Sequence, residues 1–369
     1  MVTHFCMLVK NNKLKIAYIH GRPQSHPMQM KCAEAIEADF FPVDFRIRWH
    51  DRTRANKFLK YFSWLVCAFT FPNVQTYNVF LAGGLHITLP LMRIFKRIRD
   101  DQKIIVHLGD HTLYFLYSNR YKVRVHKLLL WTLSKYDAII VEGKMGARFA
   151  KKMLGEKTPP IYIVSSGIPK NHFDKAIMVT PKFSSHKILF MGQGPNKNRM
   201  FYKGLDITIE VFKKLHKENN FLELIIVGEW EDNLISELLD SCEKDTRKNI
   251  HFIGQVNDLS PYLEDSFLYL HCARGEAFGV TVLIAMLSGM IPIVSNLTGS
   301  QEVVEELCSE LVVPLEIDII VKKIQWVLSL NLKEKEKLSI RAKEIALKYS
   351  EENVVNQYKE TFFKVVKDL

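Results

Sequence analysis

Residues Phe267–Glu302 read FLYLHCARGEAFGVTVLIAMLSGMIPIVSNLTGSQE. The aromatic and aliphatic run FLYLHC gives way to a polar turn holding Arg274, Gly275 and Glu276. VTVLIAMLSG is then almost wholly apolar as far as Gly289, and IPIVSN is again strand-like. Strand, loop, helix and strand in this order make a βαβ unit, whose parallel strands need cover on both faces of the sheet. A helix apolar all round belongs between sheet and core. Glu276 stands where the strand delivers the chain to the loop, and Gly279 lets the backbone approach a ligand as the helix begins. Amides at Phe278, Gly279 and Val280 are then placed to face an anion.

The same alternation extends outward over the chain. KIAYIH (15–20), NVFLAG (78–83), KIIVHL (103–108), AIIVEG (138–143) and IYIVSS (161–166) read as strands in the first half. KILFMG (187–192), ELIIVG (223–228), IHFIG (250–254), FLYLHC (267–272), IPIVSN (291–296) and ELVVP (310–314) do so in the second. Strands alternating with helical periods predict an α/β chain of two tandem doubly wound, Rossmann-like domains, and 369 residues suit two cores better than one. The link is expected near Asn171–Ser185, where period is lost and Pro181 intervenes. This gives domains 1–178 and 179–350, with a cleft between them, and a final helix over 351–369 returning to the first. Ser350-Glu351-Glu352-Asn353 looks like that helix's N-terminal cap.

Charge divides the halves. Residues 1–180 hold 28 Lys+Arg against 12 Asp+Glu, a net +16; the remainder holds 23 against 28, a net −5. The first half is suited to meet something anionic, such as a membrane surface or a phosphorylated acceptor, or simply presents a solvated basic face. Nucleic acid is disfavoured, because no recognised motif or stacking-rich strand accompanies the charge. FLKYFSWLVCAFTF (58–71) is too short to span a bilayer, which takes about 20 apolar residues. With Arg46, Arg48, Arg52, Arg54 and Lys57 before it, it reads either as an interfacial segment or as a buried helix with a basic neighbour. Six scattered cysteines without CxxC spacing suggest reduced thiols in a cytosolic compartment, and MVTHFCMLVKNNKLK lacks the features of a signal peptide.

GQGPNKNRMFYKGLD (192–206) follows a strand and precedes an amphipathic helix, so its glycines and Lys203 are suited to a phosphate. It fits neither a P-loop nor GxGxxG. Together with Ile226-Val227-Gly228, FIGQVNDL (252–259) and the 267–302 run, Tyr202-Lys203-Gly204-Leu205-Asp206 resembles the donor domain of retaining GT-B glycosyltransferases of family 4. The first domain is similar only in layout, with Ser165-Ser166-Gly167-Ile168 where such proteins often have Asn-Gly-Val.

The resemblance implies transfer of a hexose from a UDP- or GDP-sugar, with retained anomeric configuration, to a lipid-linked, phosphorylated or glycan acceptor on the first domain. The nucleotide sugar is a co-substrate; no cofactor is implied. Lys203 and the amides of Phe278, Gly279 and Val280 would hold the diphosphate, Glu276 the donor sugar, and the backbone at Val256 and Asn257 the base. No Asp-x-Asp triplet occurs, consistent with metal-independent stabilisation of the leaving group. Gly21 and Arg22 would form the acceptor loop, and His107, Asp110 and His111 are the catalytic-side candidates of the first domain. His111 and Asp110 are slightly favoured to face the cleft, and the alternative for either histidine is a purely structural role. The HxxxH spacing does not suggest a metal, since Gly109 breaks the helix it would need.

Two positions depart from the family pattern. Ile284 stands where a second glutamate would accept the ribose hydroxyls, and Gln193 where arginine is usual. A missing charge-assisted hydrogen bond costs on the order of 1.5–3 kcal/mol, enough to weaken a donor tenfold without abolishing chemistry. Arg199, Lys197 or Arg274 is left to supply the cation. The alternative is a non-catalytic GT-B scaffold or regulatory protein with weakened donor binding. The expected location is cytoplasmic, with peripheral attachment to the inner face of a membrane.

Overall fold

The computed structural model describes residues 14–20, 27–42, 65–194 and 196–369. Gly21, Arg22, the basic run 46–57 and positions 58–64 of the apolar segment lie outside the described residues.

Among the described residues, twelve strands form two parallel sheets. The first contains β1 (Ile16–His20), β2 (Asp39–Pro42), β3 (Val79–Gly83), β4 (Lys103–Leu108), β5 (Ala138–Glu142) and β6 (Ile161–Val164), in the order β2-β1-β3-β4-β5-β6. The second contains β7 (Lys187–Met191), β8 (Glu223–Val227), β9 (Ile250–Gly254), β10 (Leu268–His271), β11 (Ile291–Ser295) and β12 (Val312–Val313), in the order β12-β11-β10-β7-β8-β9. Strands β3 and β5 are buried along their whole length and β4 from its second residue on, as Val/Ile-rich runs covered on both faces require. Strand β2, DFFP, was not foreseen. It is a four-residue edge strand ending in Pro42, too short for a period and tolerant of a residue without an N–H.

Each sheet reverses its winding once, between β1 and β3 and between β7 and β10. At such a point the connections leave in opposite directions, and the carboxyl ends of the two strands open onto a crevice where ligands gather. In the second sheet, 192–194 after β7 and 272–279 after β10 stand at that crevice, within stretches singled out by sequence.

The chain separates into two compact units. One takes the described residues up to Glu142 with Gly146–Val164 and Val355–Leu369; the other takes Gly143–Met145 and Ser165–Val354. The division falls between Val164 and Ser165, ahead of the 178/179 boundary and the 171–185 link expected from the sequence. The reason is local: Lys170–Ala176 is helical, and Ile168, Phe173, Ala176 and Val179 all pack into the second core. At the other end Glu351–Asp368 is one helix. From Val355 onward it belongs to the first unit, where Tyr358, Phe362 and Val365 are buried and Tyr162 Oη donates to Asp368 at 2.9 Å.

Candidate functional site

The loop after β7 leads into the helix Lys197–Lys203, whose start is capped by the Asn196 side chain accepting the Arg199 amide at 3.0 Å. The helix stops at Gly204, which has φ of 72°, and Leu205–Glu218 starts immediately afterwards. A Cβ on Gly204 would lie 1.8 Å from the Cys272 carbonyl oxygen, so only glycine lets this junction sit against the loop after β10. Arg274 fastens the same contact. Its guanidinium donates to both Asp206 oxygens at 2.8 and 2.9 Å and to the Phe201 carbonyl at 2.6 Å, and lies 4.0 Å from the Phe201 ring centre. Arg274, one of the three cations considered for the donor, thus braces the loop after β10 against the junction of these two helices.

This bracing brings Lys203 and Glu276, 73 positions apart, into direct ion-pair contact. Lys203 is only 6% exposed. The second Glu276 oxygen approaches Nε2 of His271, a fully buried residue at the end of β10, to 2.8 Å. His271 Nδ1 lies 3.2 Å from Tyr269 Oη, which donates to Thr281 Oγ1 at 2.8 Å. Burial alone would raise the Glu276 carboxyl pKa, but the Lys203 ammonium and His271 outweigh it and hold the group well below the usual carboxylate range. Glu276 is thus an anion at any pH near neutrality.

The backbone on both sides of Glu276 is pinned as well. Gly275 N–H donates to Leu297 O at 2.6 Å, and Gly299 N–H donates to Glu276 O at 2.8 Å. Gly279, with φ of 89°, begins the helix Val280–Leu287; a Cβ there would meet Thr298 Oγ1 and Ser300 Oγ at 3.2 Å and His271 Nε2 at 3.4 Å. The start of this helix therefore stands beside the carboxylate and its partners, with first-turn amides that the helix itself cannot satisfy. Phe278 is buried and Val280 half-buried.

Beside this cluster, Arg199 donates through Nε to the Gln193 carbonyl at 3.2 Å, and its guanidinium lies 5.1 Å from the Tyr202 ring centre. Lys197 is held by Glu237 at the surface. Val256 packs on the second core, while Asn257 is exposed. Ile284 is 4% exposed and part of the apolar core.

In the first unit, His107 is buried at the end of β4, with Nε2 3.5 Å from Glu142 Oε1 and its ring 5.3 Å from that of Tyr358. Asp110 is exposed and accepts the Thr112 amide at 2.9 Å. His111 is half-buried against Phe115, the ring centres 4.5 Å apart.

The Lys203–Glu276–His271 cluster, unlike His107, Asp110 and His111, lies within a recognisable stretch. Residues 186–345 match the model of the family described as glycosyl transferases group 1. An uncharacterized glycosyltransferase of Haemophilus influenzae is 29% identical over 182 residues, 48% of this chain and 49% of that protein, so the match spans about half of the relative's length. Among solved structures, a sucrose-phosphate synthase from Thermosynechococcus elongatus superposes with a TM-score of 0.73 at 14% identity, covering 97% of this chain and 100% of the other. An Anabaena protein in complex with UDP and glucose gives 0.65 at 14% identity, covering 96% and 100%. The fold is GT-B.

Four residues of the site escaped the sequence reading: His271, Asp206 as the partner of Arg274, and Thr298 and Ser300 beneath Gly279. His271 had a signal. It is the polar residue that closes an otherwise apolar strand, five positions before Glu276.

Proposed function

We propose that this chain transfers a hexose from a UDP- or GDP-sugar, with retention and without a metal ion, to a lipid-linked, phosphorylated or glycan acceptor. The observation that carries the reading is the buried Lys203–Glu276–His271 cluster beside the start of the Val280–Leu287 helix, at the crevice where the second sheet reverses. Breaking the anomeric carbon–oxygen bond leaves charge on the diphosphate. Lys203, the amides at Phe278, Gly279 and Val280, and Arg199 beside Gln193 are the groups of this chain suited to stabilise it. Glu276, fixed and anionic, accepts hydrogen bonds from sugar hydroxyls. Val256 and Asn257 border the base. As the acceptor oxygen bonds to the anomeric carbon its proton passes to the departing diphosphate oxygen, and His107, Asp110, His111 and the Gly21-Arg22 loop are assigned to the acceptor side. The nucleotide sugar is the co-substrate, and work as a peripheral protein on the cytoplasmic face of a membrane belongs to this reading.

The test is mass spectrometry of products after incubation with pooled sugar nucleotides and a membrane extract, alongside release of UDP or GDP. Lys203→Ala should reduce kcat about 10²–10³-fold if it stabilises the leaving group. A natively folded chain without turnover on any donor and acceptor would overturn the proposal.

The apolar burial of Ile284 favours one competing reading, a GT-B scaffold that no longer grips nucleotide. Calorimetry with UDP and GDP separates the two, since a scaffold binds neither. Ile284→Glu should raise nucleotide affinity about tenfold if the missing acid is the deficit. Because the site is buried, the same change should lower Tm without nucleotide and regain it with UDP.

A further inference from the structure

The first unit carries an apolar face with a basic rim that the reading above does not use. The helix at 65–70, the helix Thr88–Ile94 and the helix Val123–Leu133 enclose a groove of about 270 Å³ lined by Leu65, Ile87, Leu91, Val125, Leu128 and Leu129 with Thr132. Val125, Leu128, Leu129 and Thr132 fall at the i, i+3, i+4, i+7 spacing of one helix face. At the rim large apolar side chains stand in solvent: Phe69 is 53% exposed, Ile94 52% and Phe95 43%, and the Phe69 and Phe95 rings lie 4.6 Å apart. Isolated exposed apolar residues are ordinary, but a contiguous set around a groove marks an interaction surface.

The three helices themselves carry charge of one sign, and the acids nearest to them in sequence, Asp100, Asp101, Asp110 and Asp137, stand outside them. Residues 65–99 and 111–136, which supply all three helices, contain nine Lys+Arg and no Asp or Glu. Some of these cations build the fold. Arg97 donates to the Ala68 and Phe71 carbonyls at 2.8 and 2.7 Å and so caps the 65–70 helix, and Arg93 pairs with Asp137 at 2.6 Å. Lys96, Lys122, Arg124 and Lys127 are exposed and have no ion-pair partner among the described residues. Lys96 follows Phe95 directly; Arg124 and Lys127 precede Leu128 by one turn and by one residue. Cations with no structural partner, set around exposed aromatic and aliphatic side chains, match an anionic bilayer, whose headgroups attract the rim while its acyl region takes the apolar centre.

We infer that the face formed by the helix at 65–70, Thr88–Ile94 and Val123–Leu133 docks on an anionic lipid bilayer, with Leu65, Phe69, Phe95 and Leu128 entering the interface and Lys96, Lys122, Arg124 and Lys127 contacting headgroups. It rests on the proposed lipid-linked acceptor for its purpose, because it brings the first unit to the surface that carries such an acceptor.

The experiment is co-sedimentation of the full chain with vesicles of phosphatidylcholine containing 30% phosphatidylglycerol, against pure phosphatidylcholine. The wild type should bind the anionic vesicles at least tenfold more tightly and release them in ~1 M salt. Phe69→Ser with Phe95→Ser should lose binding about tenfold or more at unchanged net charge. Lys96→Gln with Lys122→Gln and Lys127→Gln should abolish the anionic preference. Lys322→Gln with Lys333→Gln and Lys337→Gln, an equal loss of charge in the second unit, should bind like the wild type; all variants lie at exposed positions and are checked for native Tm. Wild-type chain that ignores anionic vesicles overturns the inference, as do face variants that bind normally. A face that instead mediates a dimer, lost in Phe69→Ser with Phe95→Ser while vesicles are ignored, overturns it too. Nucleotide-sugar turnover on a water-soluble acceptor is measured separately: a chain that turns over but ignores vesicles sinks the docking and the peripheral location while leaving the transfer activity standing, and one that docks but never turns over sinks only the proposed activity.

Discussion

Glu276 is visible in the sequence as an acid at the mouth of an apolar segment, but its state is set by residues from elsewhere. Lys203 and His271 close on its two oxygens and keep it ionised in spite of burial. Removing one partner of such a pair strands the other charge, which typically costs about 3–5 kcal/mol. Glu276→Ala should therefore lower stability by about that much, while Glu276→Gln combined with Lys203→Met should recover most of it; denaturant unfolding of the two variants checks this. The pH dependence has a definite sign. With the folded pKa depressed below 4.5, the carboxylate contributes stability that is fully present above pH 4.5 and is lost as pH falls toward the folded value. The double variant should lack that acid-side loss, and a rate profile measured between pH 5 and 8 should show no limb from Glu276.

At the scale of elements, the site depends on how two loops meet. The junction of Lys197–Lys203 with Leu205–Glu218 lies against the Cys272 carbonyl, and Gly204 both takes the left-handed conformation and leaves the space. Gly204→Ala should then destabilise by at least about 2 kcal/mol, strain and clash adding, and should weaken UDP binding because Lys203 is the next residue. Thermal unfolding and calorimetry on one sample measure both. Arg274→Lys should act in the same direction but more weakly, since an ammonium cannot keep the two-pronged bond to Asp206. A loss of nucleotide affinity in Arg274→Lys larger than in Gly204→Ala would instead make Arg274 a ligand contact.

For the whole molecule, two cores predict two unfolding steps, with UDP raising only the one that belongs to Ser165–Val354. Truncation after Val354 should selectively weaken the other, because Tyr358, Phe362 and Val365 leave its core at about 1.5–3 kcal/mol each. Scanning calorimetry distinguishes the two steps. Sequence by itself determined eleven of the twelve strands among the described residues, and the two-sheet plan, because a doubly covered parallel strand must be written as a short apolar run between breakers. It missed β2, four residues at an edge with too little pattern to read, and it placed the unit boundary too late, because the helix Lys170–Ala176 is short and mixed in polarity. It also named Lys203, Glu276 and Gly279 from loop chemistry. Only the tertiary structure decided that Arg274 is a brace, that His271 lies under Glu276, and that Phe69 and Phe95 share an exposed face. Each depends on which loops and helices become neighbours, and neighbours are chosen by the winding of the sheet and the packing of the cores, which local residue patterns do not encode.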